Sequence, residues 1–409
     1  MELKRKCIWL ILMFVLGILM CACRKEDKNN VNDNIKSSEE EAEQIKKGYD
    51  LPIDDGEREE AENDCKRMME LIYDIYVKAD KGESANVVLS NDVVFKMQEK
   101  VKKTGCPVTT VVTYSNMENY DVADSFLNEC MEGKSGQIVV YEIYYDGGIG
   151  RMQYFFDGTD MYVLSTRGVW NEDNKSGISY VSYNRIKEWK YTDKGYFCYE
   201  MCVPQPPEES EIVNGSCVVR IKPMTNEQRY MSEKCVRVLG YQGNNLLCSN
   251  WGTENLEELD YNGMYEYLYE MKYQKKFNYE DYPNGIPTAE FESLIMEYLP
   301  VTAEQIREAA VFDEENKTYV WARLGCFNYD PSYFGTSLPE VTDIRENEDG
   351  TVTLTVEAVC DMVICDDAVI THELTVQFGE DGKFKYLGNR ILNDGIKNIP
   401  AYQYRINEE

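Results

Sequence analysis

The chain has 409 residues, with 43 Lys and Arg against 73 Asp and Glu, one His and a formal charge of −30. At roughly 150 residues per domain the length predicts two or three domains, and 43% hydrophobic with 12% aromatic residues excludes wholesale disorder. Phosphate affinity depends on Lys and Arg, so the charge argues against a nucleic-acid partner; a single His excludes multi-histidine metal sites and leaves any Ser/His or Cys/His device one candidate base.

Lys4, Arg5 and Lys6 precede an apolar run from Cys7 to Met20. At 14 residues that run suits a signal h-region and is short of the roughly 20 that a membrane span needs. It ends in Met20-Cys21-Ala22-Cys23, followed by Arg24, Lys25, Glu26 and Asp27. The segment resembles a bacterial lipoprotein signal peptide, although Met20 stands where that family usually has Leu. The resemblance implies that residues 1–22 are removed, that Cys23 carries lipid, and that the partner is the outer face of a cell membrane. The competing reading is an ordinary secretory signal, or an uncleaved anchor, with Cys23 incidental. Two acyl chains anchor stably where one does not, at ~0.8 kcal/mol per buried CH₂. Cleavage would remove three basic residues and one acid, taking the charge to −32.

Residues 23–56 read as a polar tether, with Asn29, Asn30, Asn32, Asn34 and the Glu39-Glu40-Glu41 run. As a coil it would reach roughly 30 Å. Of 14 cysteines, eleven remain once Cys7, Cys21 and Cys23 are set aside. An odd number spread over a long chain, with no Cys-x-x-Cys, favours buried thiols over a disulfide framework or a zinc site. Cys198 and Cys202 lie about 13 Å apart on an extended strand, too far to pair; Cys360 and Cys365 could meet across a hairpin.

Cys65, Met68, Ile72, Ile75, Tyr76 and Ala79 recur at helical spacing and predict a first helix over residues 57–79. Further helices are expected at 91–103 and 121–131, ended by Gly105 and Gly133. Short Tyr-, Val- and Ile-rich runs follow at 137–145, 151–156, 161–169, 178–183, 187–191, 196–203 and 216–221. Asp157-Gly158, Lys194-Gly195 and Asn214-Gly215 punctuate them, which predicts an antiparallel meander. Thr225-Asn226-Glu227-Gln228 and Thr302-Ala303-Glu304-Gln305 read as capping boxes, and helices are expected at 262–272 and 288–299. Alternation from Val352 to Cys360 and from Ile370 to Phe378, then Phe384 to Leu392, predicts a last sheet. The fold class is α+β: amino-terminal helices and a meander (57–223), a helical connection (224–284), and an α+β carboxy-terminal domain (285–409). By element order, Gly285–Asp394 resembles the cone-shaped cystatin-like and nuclear-transport-factor-like folds. Three phrases, Gly240-Tyr241-Gln242-Gly243-Asn244-Asn245, Tyr298-Leu299-Pro300-Val301-Thr302-Ala303-Glu304 and Thr371-His372-Glu373-Leu374-Thr375-Val376, resemble an uncharacterised family of clostridial surface lipoproteins. That resemblance implies a location and no activity.

Candidate chemistry is sparse. His372 alternates with Ile370 and Leu374 and so points inward, either as a general acid/base beside a carboxylate or as a hydrogen-bonded core residue. Seven tyrosines lie between Tyr261 and Tyr282, with Trp251 upstream. Tyr265, Tyr269 and Trp251 could stack on a ligand, or pack as the core face of a helix. No phosphate loop, dinucleotide fingerprint, nucleophile elbow or calcium loop is present, and no cofactor is expected. The leading expectation is a non-enzymatic, lipid-anchored binding or interaction module. One alternative is a sheet pocket holding a small or lipidic ligand; another is a glycan hydrolase working through paired carboxylates.

Overall fold

In the computed structural model, residues 44–83, 86–325, 334–360 and 368–406 are described. Helix α1 (Asp55–Lys78) begins where the Asp54 side chain accepts from the amides of Gly56 and Glu57. Asp55 and Glu57 in its first turn and Lys78 in its last complement the helix dipole. Cys65, Met68, Met69, Ile72 and Tyr76 are its buried stripe. With α2 (Asn91–Lys102), it covers one face of a seven-stranded sheet through Val108, Tyr141, Ile143 and Ile149.

The strands run in chain order: β1 (Val108–Thr110), β2 (Gly136–Ile143), β3 (Ile149–Phe156), β4 (Met161–Trp170), β5 (Ser176–Tyr191), β6 (Tyr196–Met201) and β7 (Ser216–Arg220). From β2 onward the sheet is the expected antiparallel meander, and β1 adds to it in parallel. The runs read separately as 178–183 and 187–191 are one 16-residue strand, β5. Its first part pairs with β4 and its last with β6, and register shifts at Arg167/Gly168 and Ile186/Glu188 mark where the ladder bends. Irregularities of this kind bend a strand and increase its twist; the sheet curls into a half-barrel. Alternation sends Ile138 and Val140 to the face opposite Tyr141, where α3 (Tyr120–Met131) packs Phe126 and Leu127 against them.

The body begins at Gly48. Gly48 accepts from the Arg185 amide at 2.7 Å, and the Leu51 amide donates to the Tyr183 carbonyl at 2.8 Å. Residues 48–56, which composition assigned to the tether, therefore belong to the folded part. Leu51, buried, is what the polar average of that stretch concealed.

Both capping boxes form, at Thr225 before α4 (Asn226–Met231) and at Thr302 before α7 (Ala303–Ala309). Between them lie α5 (Tyr261–Tyr273), β8 (Ile286–Pro287) and α6 (Thr288–Tyr298). β9 (Phe312–Asp313) and β10 (Thr318–Tyr319) make a small sheet with β8 in the order β8-β10-β9. The last sheet is an antiparallel β11-β12-β13-β14, comprising Leu338–Glu346, Val352–Val359, Ala368–Phe378 and Phe384–Ile391. The chain is α+β throughout, and the two sheets meet through ion pairs between Arg220 and Glu340 and between Lys194 and Glu357. Among the described residues, no helix is long and apolar enough to cross a membrane.

Candidate functional site

Cys23 and Cys365 lie outside the described residues. Cys65, Cys106, Cys130, Cys202, Cys235 and Cys248 are thiols, and all but Cys106 are buried.

His372 sits in the middle of β13, 0% exposed. Its Nδ1 lies 2.6 Å from Asn389 Oδ1, and its Nε2 lies 2.9 Å from the Tyr241 hydroxyl. Asn389 spends its amide protons on the carbonyls of Leu247 and Ser249. Its oxygen must therefore accept, which puts the proton on Nδ1 and makes Nε2 the acceptor from Tyr241. Burial pushes the imidazole down to about 4, against the Asn389 hydrogen bond. The carboxylate that general acid/base work would require is not among its partners. Trp251 joins the same network: its indole donates to Leu246 O at 2.8 Å, and its backbone exchanges two hydrogen bonds with Asn389.

Tyr265 is equally enclosed, its ring stacked on Phe291 at 4.9 Å and 5°. Tyr269 packs edge-on against Phe277. The four candidates thus fall into two groups. His372 and Trp251 pin β13 and β14 to the 241–251 segment, while Tyr265 and Tyr269 fill the space around α5.

The site that side-chain chemistry and space together define lies elsewhere, across the half-barrel face bearing Val140. A cavity of about 590 Å³ opens there, within the size range of small-ligand pockets. Strand register builds it. Val140, Met152 and Ser165 lie opposite one another on β2, β3 and β4, and Glu142 lies opposite Gly150. Tyr199 and Cys217 contribute from the paired strands β6 and β7. The second sheet closes one side with Leu338, Glu340 and Val359.

Three polar features converge. At the floor the Tyr154 and Tyr199 hydroxyls lie 3.1 Å apart, with Cys217 hydrogen-bonded to Tyr199. Above them the Glu142 carboxyl is pushed up by burial, opposed by a hydrogen bond from Tyr144 and by the Arg167 charge. Beside it, Arg167 lies 3.9 Å over the Tyr144 ring while holding Asp146 through two hydrogen bonds of 2.8 and 2.7 Å. That cation is already matched, so Glu142 keeps more of its proton than an exposed glutamate does. Gly150 leaves room for Tyr144: a Cβ on it would sit 3.1 Å from the ring and hydroxyl, so the tyrosine would have to shift by a few tenths of an ångström.

Glu340, the other acid lining the cavity, pairs with Arg220, whose guanidinium also stacks 4.3 Å over Tyr196. Glu142 is therefore the one carboxyl in the lining without an arginine held directly to it. In the sequence Glu142 lies between Val140 and Tyr144 at alternating spacing, but that pattern alone does not separate it from the other 72 acids. Among the described residues, no cluster of three or more His, Cys, Asp or Glu is placed to hold a metal. The arrangement offers hydrogen bonds and aromatic surface to a guest. The chain's one imidazole takes no part in it, being sealed in the other sheet.

A model of a family of unknown function (DUF6070) matches residues 58–405, nearly the whole folded body. The chain belongs to that family. No curated protein and no solved structure matches it.

Proposed function

We propose that this member of the DUF6070 family is a lipid-anchored protein of the extracytoplasmic face of the cell membrane that binds a small ligand in its half-barrel cavity. The observation that carries the binding reading is the convergence of Glu142, Tyr144 and the Tyr154–Tyr199 pair on one cavity. Burial biases the Glu142 carboxyl toward its neutral form, which suits an uncharged, hydrogen-bonding guest with an apolar body facing Val140, Met152 and Val219. Binding is favoured over glycan hydrolysis because the second lining carboxylate, Glu340, is tied to Arg220, whereas hydrolysis needs an acid and a second working carboxylate flanking the bond. The anchor rests on the Lys4–Lys6 cluster, the short apolar run and Cys23.

Two experiments test the two halves. Cells fed a labelled fatty acid should mark the wild-type chain and leave Cys23→Ala unmarked; equal labelling defeats the anchor. A thermal-shift screen of uncharged metabolites should find one that stabilises the wild type. At about 100 times its Kd a ligand adds about 2.7 kcal/mol, and the shift should vanish in Ser165→Trp, where an indole fills the space. Shifts of equal size in the two proteins would place the ligand elsewhere.

A further inference from the structure

A second cavity, of about 750 Å³, lies in the carboxy-terminal half beside the β8-β10-β9 sheet. Part of its lining is a connected set of rings. Tyr279 stacks on Trp321 at 5.3 Å and 14°, Phe277 meets Trp321 edge-on at 5.4 Å, and Phe277 stacks on Tyr282 at 5.2 Å. Phe277 also abuts Tyr265 at 85°, which ties the set to the packed core. Tyr279 is 47% exposed, so it keeps ring surface for a guest. Asn284, Asp313, Asn316 and Thr318 line the same space, where the Thr318 hydroxyl donates to the Asn284 carbonyl and the Asn316 amide to the Asp313 carboxylate, a fixed polar rim whose oxygens keep lone pairs for a guest's hydroxyls. Among the described residues the buried indole N–H of Trp321 has no acceptor, a state that costs about 1–3 kcal/mol and calls for an explanation.

We propose that this cleft binds a neutral oligosaccharide. A pyranose ring presents a flat C–H face that lies on an aromatic ring and a rim of hydroxyls that bond to amides and carboxylates; the cleft offers both surfaces. The other classes fit less well. Among the described residues no Lys or Arg lines the cleft, which carries Glu280 and Asp313, and the chain carries −30, so an acidic glycan or a phosphorylated polymer meets no counter-charge there. A peptide held by strand addition needs a free edge with backbone donors, yet β8 is two residues long and its Pro287 has no N–H. The cleft shares no lining residue with the half-barrel cavity, so the two sites stand or fall separately.

The test uses the full lipidated chain in a detergent without a sugar headgroup, titrated calorimetrically with xylohexaose, cellohexaose, mannohexaose and chitohexaose, and with a lysine-rich hexapeptide. At least one oligosaccharide should bind. Tyr279→Ala should weaken it at least tenfold at unchanged melting temperature, Tyr279→Phe should retain it because the ring and not the hydroxyl stacks, and Ser165→Trp should leave it untouched. Absence of binding to all four sugars, equal affinity in Tyr279→Ala, or displacement of the sugar by the peptide would overturn the proposal. Should Tyr279→Ala prove unstable, Tyr279→Leu at preserved melting temperature replaces it under the same criteria.

Discussion

Because the chain contains one histidine, its stability between pH 4.5 and 7.5 offers a direct reading of a single buried group. His372 is fully buried, and its imidazole is held down to about 4 against an ordinary 6.5. Above pH 6.5 the ring is neutral whether the chain is folded or unfolded, so it adds no pH dependence. Below that, the unfolded chain takes up a proton that the folded chain refuses, and the folded state loses stability as pH falls. The full shift corresponds to about 3 kcal/mol, and roughly 2.5 kcal/mol of it is already expressed at pH 4.5. In His372→Gln the side chain no longer titrates. At pH 7.5 the variant should be less stable by about 1–3 kcal/mol, because glutamine cannot serve Asn389 and Tyr241 with the ring's geometry. At pH 4.5 that deficit should shrink or reverse by about 2.5 kcal/mol. Urea denaturation followed by tryptophan emission and far-UV circular dichroism, at matched pH for both proteins, measures the difference. Glu142 and Asp260, whose carboxyls are raised, act with the opposite sign and cancel in the comparison. A gap between variant and wild type that stays constant across the pH range would refute the reasoning.

Other consequences are quicker to check. Asp64 holds Arg151, whose side chain is only 4% exposed, so Asp64→Ala should cost about 3 kcal/mol in denaturant titration by stranding a buried cation. Gly147 has φ +75°, and a Cβ there would lie 2.5 Å from the Tyr76 ring, itself stacked on Trp170. Gly147→Ala should therefore lose at least the ~1–2 kcal/mol of a left-handed alanine and visibly lower the melting temperature. Glu142 has a folded-state carboxyl raised above its unfolded value, so its contribution is present at low pH and is lost as pH rises through the folded value. Glu142→Gln should accordingly raise the melting temperature at pH 7.5, with the gain fading at pH 4, as expected of a binding group kept at the expense of stability.

Much of the architecture was legible because periodicity and turn chemistry act locally. The stripe from Cys65 to Tyr76, the two capping boxes and the alternation through Val356 and Leu374 each specify their element within a few residues. What sequence missed depends on distant partners. β1 is three residues long and exists because Tyr141, Glu142 and Ile143 pair with it. β11 has Pro339 as its second residue and carries Glu340, Asp343 and Glu346, so no alternation marks it, yet β12 pairs with it from end to end. The site divides the same way. That His372 faces inward follows from alternation, but its partners Tyr241 and Asn389 lie 131 and 17 residues away. Glu142 stands out only when register sets Gly150 opposite it and leaves space for Tyr144. The tyrosine cluster separates by depth: Tyr265 is sealed against Phe291, while Tyr279 remains open.

The cavity can be examined without knowing its guest in advance. Wild type and Ser165→Trp, purified from the cells that make them in mild detergent and passed into native mass spectrometry, should differ by one small-molecule mass carried by the wild type alone. The same retained mass on both proteins, or an unliganded wild type that stays so when incubated with a concentrated cell extract of small molecules, would contradict the assignment of the half-barrel cavity as a binding site.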